Sequence, residues 1–306
     1  MSNILVSGLI NIETTLHIAD FPLAYNPVNF PFFGINSSVS GVGYNIAKAL
    51  TILGDQVNFL SLIGSRDYAA ELVRASLMRD HITERTILSQ GEQTAQSIII
   101  YDSQGKRQIH VDLKDIQDQV YPQPLFQEVL HSSDLVVLCN INFSRAMLAP
   151  ARESGRLIAT DVHDIGSLDD SYNQDFLRAA NILFMSHESL PMPPEAWAQA
   201  VMQRFNNDMV VIGLGSEGCL LAVRQDGFIG RFPAVYTRPV INTIGAGDAL
   251  FSAFLHEYAA HSDPYRAIRA AVVFASYKTG AVSAADGFLT DSELKHWCCQ
   301  IYGEKF

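Results

Sequence analysis

Charge is scarce in this chain, and what there is leans one way. Charged residues make up 17% of the 306, with 32 Asp and Glu against 21 Lys and Arg, for a formal net charge of −11 at pH 7. An acidic surface repels phosphate backbones and anionic lipid, so nucleic acid and membrane are excluded as main partners, while a local basic pocket for a small anion stays open. Cysteine is scarcer still. Of the four, Cys139 and Cys219 sit in apolar runs, and Cys298 and Cys299 stand side by side near the C-terminus. That is neither a disulfide framework nor a zinc-ligand spacing. No run of ~18 uninterrupted apolar residues is present to cross a bilayer. The stretch "MSNILVSGLINIETTL" has neither the basic start nor the apolar middle of a secretory signal. The chain is therefore expected to be cytoplasmic, which leaves the sequons at Asn36 and Asn142 without use. Internal repeats, low-complexity tracts and a Pro/Gly/Ser linker are also missing, so residues 1–306 are expected to form a single domain.

What the chain does have is alternation. Hydrophobic residues make up 48%, enough for a large core. Strand-like runs at 3–10, 56–64, 134–141, 155–162, 181–186 and 208–215 interleave with helical patterns at 43–54, 68–81 and 193–206. Gly54 supplies a stop for the first of these helices, and Pro194 a first turn for the last. The expected fold class is α/β: a doubly wound, mostly parallel sheet with helices on both faces. Two segments break the rhythm. Residues 11–38 carry too much proline and aromatic content for a helix, and 93–113 read as a hairpin turning at Asp102-Ser103-Gln104-Gly105. Such sheets bind ligands beyond the carboxyl ends of their strands. A small β element from these two segments is expected there as a lid, with a plain edge-covering hairpin as the alternative.

The run Gly213-Leu214-Gly215-Ser216-Glu217-Gly218 has the glycine spacing of a dinucleotide site. That reading needs a helix next and an acid ~20 residues on. Two strand-like pieces follow instead, and Arg238 stands where the acid should be, so a Rossmann dehydrogenase is rejected. A glycine-rich turn at a strand end still lets a nucleotide approach the backbone closely.

The most informative stretch is "NTIGAGDALFSAFL", residues 242–255. The helix after Asp248 is apolar almost all round and should be buried. A buried helix start cannot leave its first N–H groups idle. Gly245 and Gly247 clear the approach, so the amides of Ala246, Gly247 and Asp248 are expected to converge on one anion, helped by the helix dipole. A carboxylate beside that anion hole suits a base that takes a proton from a nucleophilic hydroxyl while the amides hold the charge of a transferring phosphoryl group. The alternative is an ordinary helix cap after a tight turn.

The same stretch resembles the C-terminal signature of the ribokinase-like (PfkB) carbohydrate kinases, D-T-x-G-A-G-D before a buried helix. "SVSGVGYNIAKALTILG" is similar to the N-terminal motif of that family at Gly41, Gly43, Asn45 and Ala47. "GLINIETTL" resembles its first strand, "IGSRDYA" loosely its G-D-D-x-x-G, and "VVIGLGSEGCLL" its strand-turn-strand beside ATP. The resemblance implies transfer of the γ-phosphoryl group of ATP, with Mg²⁺, to a substrate hydroxyl. It implies Asp248 as base, Gly245, Ala246, Gly247 and Asp248 as the anion hole, and Asn11, Glu13, Gly41, Gly43 and Asn45 as holders of the acceptor. Gly213, Gly215, Ser216 and Gly218 would flank the nucleotide, with Ser186 and Thr243 beside it, and Glu188 would serve the metal.

Several positions depart from the family pattern. Asn242 stands in place of Asp, which leaves open the monovalent-cation site that many members build there. Glu13 replaces Asp, Ser40 the first Gly of a pair, and Val42 a position where ribokinases have Lys. The Asn-x-x-Glu motif is reduced to Ser186-His187-Glu188-Ser189, and "TDVHD" lacks an arginine found in many members. Asp161, His163 and Asp164 are expected to be loop residues facing the cleft rather than metal ligands. Arg107 is expected as an exposed hairpin arginine and Lys278 as a surface lysine. The aromatics of "FPFF", 30–33, suit either stacking on a base or sugar, or packing of a homodimer through the lid. The expected activity is an ATP-dependent sugar kinase. The alternatives are a nucleoside kinase, or a retired kinase that binds a sugar or nucleotide.

Overall fold

A computed structural model describes residues 1–65, 67–303 and 306. In chain order the strands are β1 Asn3–Ser7, β2 Asn11–His17, β3 Ile35–Ser40, β4 Gln56–Gly64, β5 Ile87–Gly91, β6 Gln96–Tyr101, β7 Arg107–Asp112, β8 Leu135–Leu138, β9 Leu157–Asp161, β10 Ile182–Ser186, β11 Met209–Gly213, β12 Cys219–Val223 and β13 Phe228–Phe232. They form two sheets. The large one has nine strands in the order β13-β12-β11-β10-β9-β8-β1-β4-β5. From β5 to β11 every pairing is parallel, and β12 and β13 add an antiparallel edge. The inner strands are buried on both faces, which is why β8 reads Leu-Val-Val-Leu with no polar break. One apolar layer packs on each face of this sheet.

The helices fall where local signals put them. Val42–Leu53 ends at Gly54, which takes the left-handed conformation and returns its N–H to the carbonyls of Leu50 and Thr51. Pro194 opens Pro194–Phe205. The helix Ala246–His261 is buried from Asp248 through Glu257, as its all-round apolar sequence requires, and packs along Pro264–Lys278. "GLGSEG" leads into β12, antiparallel to β11, and not into a helix; the dehydrogenase reading fails on the structure as it did on the sequence.

One expected element divides. Residues 3–10 read as a single strand, but β1 stops at Ser7 and β2 starts at Asn11 in the other sheet. The break falls at Gly8, where the first helix presses on the chain: a Cβ on Gly43 would lie 2.5 Å from the carbonyl carbon of Gly8. The second sheet has four strands, β3-β2-β6-β7, and both irregular segments contribute to it. β2 and β6 alternate buried and open residues, with Asn11, Glu13 and Thr15 facing inward beside Ser97, Ile99 and Tyr101. The "IGSRDYA" match includes Arg66, which lies outside the described residues.

Candidate active site

β1 pairs with β4 on one side and with β8 on the other, so strand order reverses around it. The crevice at such a switch point is where an open α/β sheet receives ligands. The chain leaving β1 crosses directly into β2, and the small sheet therefore stands over the crevice.

The helix Ala246–His261 points its N-terminus into the same place. Gly245 precedes it with φ +76°, and a Cβ there would lie 2.6 Å from the carbonyl oxygen of Ala284, so no other residue fits. A Cβ on Gly247 would meet nothing within 4 Å: this side of the helix start is open. Fewer amides are free at this helix start than the sequence suggests. The Ala246 amide donates to the Thr243 carbonyl at 3.2 Å and is spent on closing the turn. The amides of Gly247 and Asp248 have no acceptor among the described residues.

Asp248 is only 9% exposed. Burial raises its carboxyl to about 6; the hydrogen bond from Asn45, then the charges of His163 and Lys278, oppose the rise, and Asp161 adds to it. Asn45 Nδ2 donates to Asp248 Oδ2 at 2.7 Å. Asn45 Oδ1 lies 3.3 Å from Ser40 Oγ, which donates at 3.0 Å to Glu13 Oε2. A buried polar chain thus runs from Glu13 through Ser40 and Asn45 to Asp248. Glu13 is raised as well, chiefly by burial. Gly41 and Gly43 support this chain from below. A Cβ on Gly41 would sit 2.6 Å from the Leu9 carbonyl oxygen, and the two glycines let the first helix rest on the β1–β2 crossing, which sets where Asn45 stands.

The inner face of the small sheet completes the cleft. Asn11 donates from Nδ2 to Ser97 Oγ at 3.0 Å. Asn11 Oδ1, Glu13 Oε1 and Thr15 Oγ1 are buried without a hydrogen-bond partner. Three idle polar atoms thus stand at alternate positions of one strand, on the same face of the small sheet. Thr15 was missed in the sequence, although its i, i+2, i+4 relation to Asn11 and Glu13 was there to be read. Ile99 and Tyr101 close on Ile244 and Ala284 and seat the small sheet against the signature loop.

One cationic residue keeps to its expectation and one overturns it. Arg107 is exposed on the hairpin strand β7, and bonds Thr243 Oγ1 from Nη1 at 3.3 Å and Glu188 Oε1 from Nη2 at 3.4 Å. Lys278 is not on the surface at all; it is 0% exposed. The amides of Ile241 and Asn242 bond the Thr279 carbonyl at 2.8 and 3.2 Å, so the strand of chain leading into the signature lies over this helix end and covers it.

On the other side of the signature lie the residues matched to the nucleotide. Gly215 and Ser216 are exposed in the turn after β11, while Gly218, at φ +102°, is held by close packing, since a Cβ would fall 2.1 Å from the Phe232 carbonyl oxygen. His187 Nδ1 lies 2.9 Å from the Gly213 carbonyl oxygen. Ser186 ends β10, and its Oγ accepts the Glu188 amide at 3.4 Å. Asp161 is not a loop residue as expected but the buried end of β9; its charge and that of His163 act on Asp248, while Asp164, in the loop that follows, is tied to the Ser189 amide at 2.9 Å. Mg²⁺ beside a nucleotide needs only one or two protein carboxylates. Glu188, exposed and joined to Thr243 through one guanidinium, fits that role. A monovalent cation at residue 242 does not fit. Asn242 Nδ2 donates to the Val282 carbonyl at 2.8 Å and its Oδ1 accepts the Ile244 amide at 3.0 Å, so an amide already joins the two loops.

The fold around this cleft is ribokinase-like. The model of the pfkB family carbohydrate kinases matches residues 1–291, and the chain belongs to that family. Among curated relatives, the acarbose 7(IV)-phosphotransferase of an Actinoplanes species is 23% identical over 90% of this chain and 91% of its own. The ATP-dependent ribose-1-phosphate kinase of Halopiger xanaduensis is 22% identical over 95% and 97%. Among solved structures, a microbiome-derived acarbose kinase superposes with a TM-score of 0.86 at 24% identity, over 97% of this chain and 99% of that one. The protein is thus a sugar or nucleoside kinase by family.

Proposed function

We propose that this protein transfers the γ-phosphoryl group of ATP to a hydroxyl of a sugar, with Asp248 as general base. The observation that carries the reading is the state of Asp248. It is a buried carboxylate titrating at about 6, held by Asn45 and set beside an open helix start with two idle amides. A base works best when its pKa lies near the working pH, and idle amides suit the charge that develops on a transferring phosphoryl group. A pure binding protein has no use for a base in that position, which argues against a retired kinase.

In this reading Asn11, Glu13 and Thr15 receive acceptor hydroxyls, while Gly41, Gly43 and Asn45 set the floor. Gly213, Gly215, Ser216, Gly218, Ser186 and Thr243 border the nucleotide. Glu188 would hold Mg²⁺, which supplies charge neutralisation on the phosphates. Arg107 joins the small sheet to the signature, so this sheet serves as a lid. A nucleoside acceptor is favoured by one feature, the exposed Phe30 and Phe32 rings stacked 6.4 Å apart. The outer face of the lid is apolar, and a second copy of this chain is its proposed partner.

The test is ADP release with ATP and Mg²⁺ across pentoses, hexoses, nucleosides and sugar phosphates, with acarbose and ribose 1-phosphate on the panel because relatives are named for them. Stimulation by one class, lost in Asp248→Asn, is the expected result. Silence across the panel with ATP still bound would remove the kinase assignment.

A further inference from the structure

A buried ammonium with nothing to bond is costly, because burial strips its water and leaves three donors idle. Lys278 is such a group. It is fully buried, and its Nζ has no hydrogen-bond partner among the described residues. It is the last residue of Pro264–Lys278, the helix that packs along the one beginning with Ala246, Gly247 and Asp248. The charges that act on it are Asp248, Glu13 on β2, Asp286 in the loop that follows, and Arg238 ahead of the signature. Burial is the largest effect and lowers it to about 8, so it is an ammonium at neutral pH.

The idle groups of the cleft are therefore of complementary kinds. One side offers a cationic donor, Lys278 Nζ; the inner face of β2 offers Asn11 Oδ1, Glu13 Oε1 and Thr15 Oγ1. A hydroxyl can donate to a carboxylate and accept from an ammonium at the same time, so a molecule with neighbouring hydroxyls satisfies both sets. Among the described residues the nearby cations are more fully engaged: Arg238 bonds the Tyr277 carbonyl from Nε at 2.6 Å and lies over the Tyr277 ring, though its Nη2 is idle too. Lys48 is committed to Asp80 and Asp286 at 3.3 Å each, Arg107 to Glu188, and the first turn of the first helix presents the apolar Val42.

We propose that Lys278 is an acceptor-binding residue, donating from Nζ to a hydroxyl oxygen of an uncharged polyol whose neighbouring hydroxyl is held by Glu13. The proposal rests on the kinase reading and narrows it. Two cations, Lys278 and Arg238, face three carboxylates, Glu13, Asp248 and Asp286, so the pocket as a whole carries negative charge toward an acceptor phosphate. Phosphorylated acceptors are disfavoured by like charge.

Lys278→Met keeps the apolar stem and removes the charge. Without ligands at pH 7 the variant should melt above the native protein, because an idle buried cation has gone. On the acceptor panel, the native protein should respond to an uncharged sugar or nucleoside. Lys278→Met should raise the KM for that compound by at least roughly tenfold while the ATP KM stays within about twofold. Lys278→Gln, which keeps a donor, should recover part of the loss. A variant that melts lower, or fails to fold, makes Lys278 a support of the fold and overturns the proposal. So does an unchanged acceptor KM, or a native enzyme that works only on phosphorylated acceptors; either result leaves the kinase reading standing. A native protein silent on the whole panel brings down the kinase reading and the proposal with it.

Discussion

Asp248 answers to two opposed requirements. Buried, it is a stronger base than a surface aspartate; ionised, it costs the fold stability. The carboxyl moves from 3.8 to about 6 on folding, so between those values the folded chain holds a proton that the unfolded chain has released. Stability therefore falls as pH rises through that window, and the cost is fully present above it. Activity runs the other way, because only the carboxylate accepts a proton. The kcat/KM profile should rise with pH to a plateau with a midpoint at about 6, read from initial rates at constant ionic strength; a flat profile from pH 5 to 8 would detach Asp248 from proton transfer. Asp248→Asn should lower kcat by about 10²–10⁴-fold, the usual worth of a general base. At pH 7.5 the same variant should melt a few degrees higher, since it keeps an oxygen for Asn45 and drops the buried charge. Glu13 is separable from this role. Glu13→Ala should raise the acceptor KM far more than the ATP KM, and equal effects on both would place Glu13 outside the acceptor site.

At the scale of elements, Asn242 decides more than its place in a loop suggests. Its side-chain amide joins residues 242–244 to the chain at Val282, so both of its polar atoms are already bonded. Turnover should therefore be the same in potassium and in N-methylglucamine buffers, and a clear potassium requirement would show that the amide leaves room for the ion. The same region shows what the sequence could and could not reveal. Helix ends at Gly54 and Pro194 and the buried signature helix were legible because each rests on neighbours a few residues away. Lys278 was not. It follows a polar-looking Ser-Tyr and reads as surface, yet it is fully buried among charges from distant segments, Asp248, Glu13 and Arg238. Arg107 was legible as an exposed hairpin residue, but not its partners Thr243 and Glu188, which come from distant segments. The β1–β2 break at Gly8 depends on Gly43 pressing from another element. Local chemistry fixes elements; the contacts that give a residue its task are made between them.

For the whole molecule, the question is what covers the outer face of the lid. Register places Thr14 beside Ile98, and Leu16 beside both Ile35 and Ile100, on the face turned away from the cleft. Ile35 and Ile98 are 58% and 51% exposed, and all of β7 is open along the sheet edge. Exposed apolar rows with an unpaired edge are a standing invitation to association. A second copy of the chain, turned by a two-fold axis, offers the same rows in return. Because the inner face of this sheet carries Asn11, Glu13 and Thr15, a partner on the outer face would also steady the acceptor groups. The native protein should sediment as a dimer at micromolar concentration. Ile35→Lys combined with Ile98→Lys should shift it to monomer and raise the acceptor KM with little change in the ATP KM. A native protein that stays monomeric at every concentration removes the second copy from the lid. A monomeric variant with an unchanged acceptor KM would leave the dimer in place but free the acceptor site from depending on it.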